Sequence, residues 1–573
     1  MKRLFLAFVV LVGIAIVAAV AGIVLAGKSH SIGGLAAGGG TVLVWRVDRP
    51  VVEQEVEPAL PFGGRAGADS MAELYPAFRA ARSDAGVRGL AVYVEGAAMG
   101  LAKAEELRRQ MRSLKAAGKF VECYMDTVGE GGNGTLDYFL ASACDHIQMS
   151  PAGNLNLLGL FLDSRFLRGA LDKLKIDPSF NHVGEYKSFA ETYTESQYSP
   201  AAARALNTVL DSLYGQVVQA IAEARRLSPQ AVRALVDGAP YTAAEAKANG
   251  LIDSLGYPDE FRDRVRRLAG GRPRLARLGS GGGVALAGQR LAVIFAEGEI
   301  RRGRAAPGPF GGDAAIGADD IAETLHQVAE DDGIPAVVLR VDSPGGSALA
   351  SDLILHEVER LQRRKPVVVS MSDYAASGGY YIAARAKRIV AEAATLTGSI
   401  GVVGGKFATR RFEHDLLGIT HDQLKRGRNA DFYGSTDPFT PAQTAQVQRM
   451  MRQVYDLFVG NVSAGRHMTR EAVDAIAGGR VWTGAEAKPL GLVDEIGGLD
   501  RAIELAKKAG GLPAGEAVRL EFYPRSRSWL EMFRDRRESP LPEALVRLVH
   551  SLETRPPDLL ELPPLERGLA RPF

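Results

Sequence analysis

The chain contains itself twice, and that repetition limits its possible folds more than any other feature. Tyr241 to Gly256 reads YTAAEAKANGLIDSLG and Trp482 to Gly497 reads WTGAEAKPLGLVDEIG, identical at nine of sixteen positions and offset by 241 residues. Self-similarity at a long fixed period marks tandem copies of one unit. Upstream, Ser199-Pro200 and Thr440-Pro441 keep the offset, and each opens a long amphipathic helix as an N-cap residue followed by proline should. Further up, FLASACDHIQMSPAGNLNLLG from Phe139 lies against YIAARAKRIVAEAATLTGSIG from Tyr381, alike in their order of helix, apolar strand and glycine turn.

Both copies follow one programme: an opening strand (42–47; 291–295), a helix, a buried strand (90–94; 336–341), a helix, and another apolar strand (120–124; 366–371). Strands alternating with helices predict a layered α/β fold with largely parallel pairing. The expected organisation is a membrane anchor at 1–27, a first repeat at 41–268, a linker at 269–289, a second repeat at 290–524 and a basic amphipathic tail at 525–573. Gly270-Gly271 and Ser280-Gly281-Gly282-Gly283 mark the boundary, and 303–317 reads as a surface loop.

At 573 residues, 46% hydrophobic and 24% charged, the chain can bury more than one core, which excludes disorder as its main state. Lys+Arg 69 against Asp+Glu 67 is too balanced for coating phosphate backbones, so nucleic acid is not an expected partner. Cys123 and Cys144 form no CxxC or zinc spacing; the expectation is two buried thiols rather than one bridge. Lys2 and Arg3 precede an uncharged apolar run from Leu4 to Ala26, long enough to cross a bilayer with the N-terminus in the cytoplasm and the body outside. Cleavage at Ala19-Val20-Ala21 is the competing reading, but signal h-regions span only ~7 to 15 residues.

Chemistry is expected where the halves differ. Only the second half carries Asp342-Ser343-Pro344-Gly345-Gly346-Ser347, Ala375-Ala376-Ser377-Gly378-Gly379-Tyr380-Tyr381 and Thr397-Gly398-Ser399-Ile400-Gly401, each just after an apolar strand, where parallel α/β sheets place their sites. Paired glycines let backbone N–H groups converge on an oxyanion. The first-half counterparts are Glu95-Gly96-Ala97-Ala98-Met99 and Thr135. None of the nine histidines offers Ser377 a convincing base. The first half instead carries Gly184-Glu185-Tyr186-Lys187-Ser188-Phe189, whose aromatic residues could desolvate the lysine; the offset sets Arg428 opposite it. Serine and oxyanion glycines lie in one half and the lysine in the other. Ser343 and Ser399 could equally cap turns, and Asp373 reads as a turn or capping residue rather than a triad acid.

At SPGG, AASGGYY, TGSIG and GEYKS the sequence resembles the signal peptide peptidase A (protease IV) family in its long, duplicated, membrane-anchored form. The resemblance implies two tandem Clp protease/crotonase-like repeats and a Ser/Lys dyad, with Ser377 as nucleophile, Lys187 as general base, Ser399 bonded to the lysine amine, and Gly345 or Gly346 with Gly378 as oxyanion donors. It implies no metal or cofactor, hydrophobic peptides such as released signal peptides as substrates, and a homo-oligomer, commonly a tetramer. The expected location is the bacterial inner membrane, spanned once, with the catalytic body on the periplasmic side. A crotonase-type acyl-CoA enzyme uses similar glycines, and a membrane-tethered scaffold of decayed repeats is the non-enzymatic alternative.

Overall fold

Parallel strands bury both faces, and the Val-, Ile- and Leu-rich segments assemble into two such sheets. The computed structural model describes residues 40–54, 67–279, 288–305, 315–513 and 516–524. The expected anchor and tail and most of the 303–317 stretch lie outside the described residues, among which no helix is long and apolar enough to cross a membrane.

In the first repeat the strands stand in the order Ser254–Leu255, His146–Met149, Phe120–Met125, Val87–Val94, Thr41–Val47, Arg274–Arg277, every neighbour parallel. In the second, Glu495–Ile496, Arg388–Ala391, Val367–Ala376, Val337–Ser343, Gln289–Glu297 and Val518–Tyr523 take the same places with the same pairing. The duplication is therefore one of topology, and in each copy a late strand returns to pair with the first. In the first copy that strand, Arg274–Arg277, lies within the stretch expected as linker. The second sheet extends sideways, through Leu396–Gly398 on Val367–Ala376 and antiparallel Val481–Thr483, and the first repeat keeps a shorter counterpart, Asn154–Leu155 antiparallel to Tyr241–Thr242 and bridged in parallel to Val128.

The long helices also match. Pro200–Arg225 and Pro441–Arg466 have 26 residues each, begin under the side-chain caps of Ser199 and Thr440, and end at left-handed Arg226 and His467. Leu107 and Met111 of helix Leu101–Ala116 share the first core with Leu90 and Val121, while Ile354 and Val358 of helix Ala348–Gln362 share the second with Leu339 and Val369. Burying each such side chain stabilises by about 1.5–3 kcal/mol.

Cys123 and Cys144 are joined in a disulfide, correcting the expectation of two thiols. Their Cα atoms lie 5.9 Å apart because strand Phe120–Met125 and the turn after helix Thr135–Ala141 meet in the core, within bridging range.

Many contacts join the repeats, among them a strand pair and a buried ion cluster. Asp177–Val183 of the first pairs antiparallel with Val402–Ala408 of the second, Val183 opposite Val402. Elsewhere Arg340, fully buried, donates to Glu53 Oε2 at 2.9 Å and Glu106 Oε2 at 2.8 Å, both carboxylates coming from the first repeat.

Candidate active site

The antiparallel pair decides what meets what. Since Val183 faces Val402, the chain leaving the first strand runs beside the chain entering the second, and Lys187 arrives against Ser399. Tyr186 N donates to Gly478 O at 2.8 Å, and Gly479 lies so close that a Cβ on it would fall 2.5 Å from Lys187 N. The lysine is 8% exposed. Three oxygens lie within hydrogen-bond distance of its Nζ, and the protonated form can donate to all of them: Ser377 Oγ at 3.0 Å, Ser399 O at 3.0 Å and Ser399 Oγ at 2.9 Å. No carboxylate among the described residues pairs with it, and burial alone pushes its pKa down to about 8. Aromatic walls are not what buries it: Phe189 is 58% exposed and packs edge-on against Tyr193, while Tyr186 lies under Arg480. The cover comes from backbone of the second repeat.

Ser377 sits where strand Val367–Ala376 turns within one residue into helix Gly378–Ala383, at φ 53° and ψ −116°. Such a turn strains a residue with a side chain but holds its hydroxyl clear of the sheet. Ser377 N donates to Gly398 O at 2.9 Å, tying the turn to the strand that leads to Ser399.

The glycines fill gaps that only a hydrogen could occupy. A Cβ on Gly345 (φ 109°) would lie 2.7 Å from Gly378 N and 2.8 Å from Ser377 Cβ, and one on Gly346 (φ 150°) would lie 2.2 Å from Ile300 O. Gly345 N–H is already donated to Ser343 Oγ at 3.1 Å. Among the described residues no acceptor takes the N–H of Gly346 or Gly378.

The corresponding place in the first repeat is closed. Thr135 Oγ1 is buried and accepts from Gly159 N at 2.9 Å, and the Asp137 carboxylate accepts from Ala97 N, in the turn matching the glycine pair. His182 is exposed, its Nδ1 2.9 Å from Gly184 O, and Arg428 is exposed as well.

Asp373 caps a helix as expected, but in the other repeat. Its Oδ1 accepts from Lys103 N at 3.0 Å, and its Oδ2 accepts from Lys103 Nζ at 2.9 Å. Lys103 had no visible signal, because a lysine in an amphipathic helix reads as solvated. Gly478-Gly479 likewise carries no sign in the sequence, beyond being a glycine pair, that it packs on the lysine.

The family model "Peptidase family S49" matches residues 113–271 and 359–512, the first segment containing Lys187 and the second Ser377 and Ser399. The chain belongs to that family. This S49 chain is accordingly a serine protease, which sets aside both the acyl-CoA enzyme and the decayed scaffold. It is similar to Serine protease SPPA, chloroplastic, of Arabidopsis thaliana, 32% identical over 467 residues that make up 79% of this chain and 67% of that one. It also resembles Protease 4 of Salmonella typhi (31% identical; 83% and 78% covered) and Protease 4 of Haemophilus influenzae (32% identical; 75% and 72% covered).

Proposed function

We propose that the chain is a Ser/Lys-dyad endopeptidase that cleaves hydrophobic peptides, released signal peptides among them, through an acyl-enzyme. The observation that carries this is the hydrogen bonding of the Lys187 amine. A neutral amine has two N–H donors and one lone pair. Both oxygens of Ser399 take the donors, which leaves the lone pair for the hydroxyl proton of Ser377 at 3.0 Å. With its pKa near 8, a substantial fraction of the amine is neutral just above neutral pH.

In the proposed cycle Lys187 takes the Ser377 proton as Oγ attacks the peptide carbonyl, and the N–H groups of Gly346 and Gly378 receive the oxyanion. The lysine then protonates the leaving amine. A water, deprotonated by the same lysine, attacks the acyl carbonyl and frees Ser377. Specificity for apolar sequences is supported by exposed Leu349 and Leu353, on the helix that follows the glycine turn, and by exposed Tyr374, three residues before Ser377.

Membrane anchoring through residues 4–26, with the body on the periplasmic side of a bacterial inner membrane, belongs to the same reading. The disulfide supports it, because such bridges persist outside the reducing cytoplasm. So does assembly into a homo-oligomer, tetrameric by the family resemblance, which light scattering of the detergent-solubilised chain tests.

The deciding experiment is turnover of a hydrophobic fluorogenic peptide by the purified chain and its Ser377→Ala and Lys187→Ala variants. Both folded variants should lose activity by at least ~10³-fold. Ordinary turnover in either one removes the dyad.

A further inference from the structure

The mechanism so far uses the first repeat only for Lys187, yet a second lysine of that repeat is buried against the loops that carry the serine and the oxyanion donors. Lys103 is 4% exposed, in the first turn of helix Leu101–Ala116. Its amine donates to Asp342 Oδ2 and, at 2.9 Å, to Asp373 Oδ2, with Glu53 Oε1 at 3.4 Å. Its backbone N–H adds a bond to Asp373 Oδ1 at 3.0 Å. The helix has no side-chain cap of its own, and a Cβ on Gly100 would lie 2.2 Å from Asp373 Cγ, so the glycine leaves room for a cap supplied by the other repeat.

The two carboxylates are placed alike. Asp373 lies four residues before Ser377, and Asp342 four residues before Gly346. Asp342 Oδ1 also accepts from Tyr374 N at 2.9 Å, so the two loops are already laced together at this point. Two carboxylates this close in a dry interior repel strongly unless a cation lies between them. Lys103 is that cation.

We propose that Lys103 is a positioning residue for peptide hydrolysis: by bridging Asp342 and Asp373 it fixes the distance between the Gly346 turn and Ser377. Without the ammonium the carboxylates separate, and the oxyanion donors move relative to the attacking oxygen. A displacement of about 1 Å at such a site costs on the order of 10²-fold in rate. Ground-state binding of peptide, which does not use the oxyanion donors, is left nearly intact.

The inference rests on Ser377 as nucleophile, so Ser377→Ala is assayed beside the test variants. The full chain in detergent micelles is compared with Lys103→Met for kcat and KM on the fluorogenic peptide, and for Ki of a peptide aldehyde whose hemiacetal oxygen needs the oxyanion donors. Expected are a kcat lower by ~10²-fold, a KM within ~3-fold, an aldehyde Ki raised in step with the loss of kcat, and partial recovery of kcat when Asp373→Asn is added. A folded Lys103→Met with kcat and Ki near wild type, or with only KM changed, overturns the proposal. If Lys103→Met does not fold, Asp373→Asn alone, nearly the same size, should show the same split between kcat and KM, and wild-type values there overturn it. Turnover by Ser377→Ala would instead fault the nucleophile assignment.

Discussion

The Lys187 amine lies 3.0 Å from the Ser377 hydroxyl although 190 residues and a change of repeat separate them. Every partner of that amine comes from the second repeat, and no carboxylate among the described residues offsets its charge. The contact therefore costs stability in its charged form and is useful in its neutral form.

The pH dependence follows directly. A base must be unprotonated to act, so kcat/KM should climb as pH rises through about 8 and level off above it. Ser399→Ala removes one acceptor that orients the amine, and should lower the plateau by ~10-fold or more while leaving peptide KM similar. A pH-rate series on both proteins checks this.

Lys187→Met should make the protein more stable while abolishing turnover. The folded pKa of about 8 lies below the ordinary lysine value of 10.5, so the penalty for burying the ammonium is fully present below pH 8 and fades as pH approaches 10.5. At pH 7 the variant should gain up to about 3 kcal/mol, and the gain should shrink in alkaline buffer. Denaturant titrations at pH 7 and pH 10 provide the comparison.

Gly346→Ala tests the oxyanion turn. Its methyl would meet Ile300 O at 2.2 Å and force the turn to move, so kcat should drop ~10² to 10³-fold, with the peptide aldehyde binding correspondingly more weakly. A variant with wild-type aldehyde affinity would place the donors elsewhere.

The Cys123–Cys144 bridge closes a loop with a sequence separation of 21, which corresponds to about 3 kcal/mol of chain entropy. The double Cys→Ser variant should melt earlier by that measure. Its kcat at 25 °C should remain near wild type, because the bridge lies in the first core, whose own site is closed by Thr135 and Asp137. Calorimetry and the peptide assay read the two effects separately.

Much of the architecture was legible because it depends on local pattern. Helix caps at Ser199 and Thr440 and runs of β-branched residues specify their elements within a few neighbours. The glycine turns could be read because paired glycines have few other uses next to a strand end. The shielding of Lys187 was misjudged for a related reason: adjacent aromatics suggested a wall, but Phe189 faces solvent and the cover comes from Gly479, nearly 300 residues away.

By itself, then, the amino-acid order determined two copies of one α/β unit and the division of serine and lysine between them, since periodicity, caps and turns are short-range properties. Only the tertiary structure decided that Val183 faces Val402, that Cys123 reaches Cys144, and that Lys103 bridges Asp342 and Asp373. Those relationships depend on distances across the sheet and between repeats, and burial and charge compensation set them together. No segment of the chain carries that information alone.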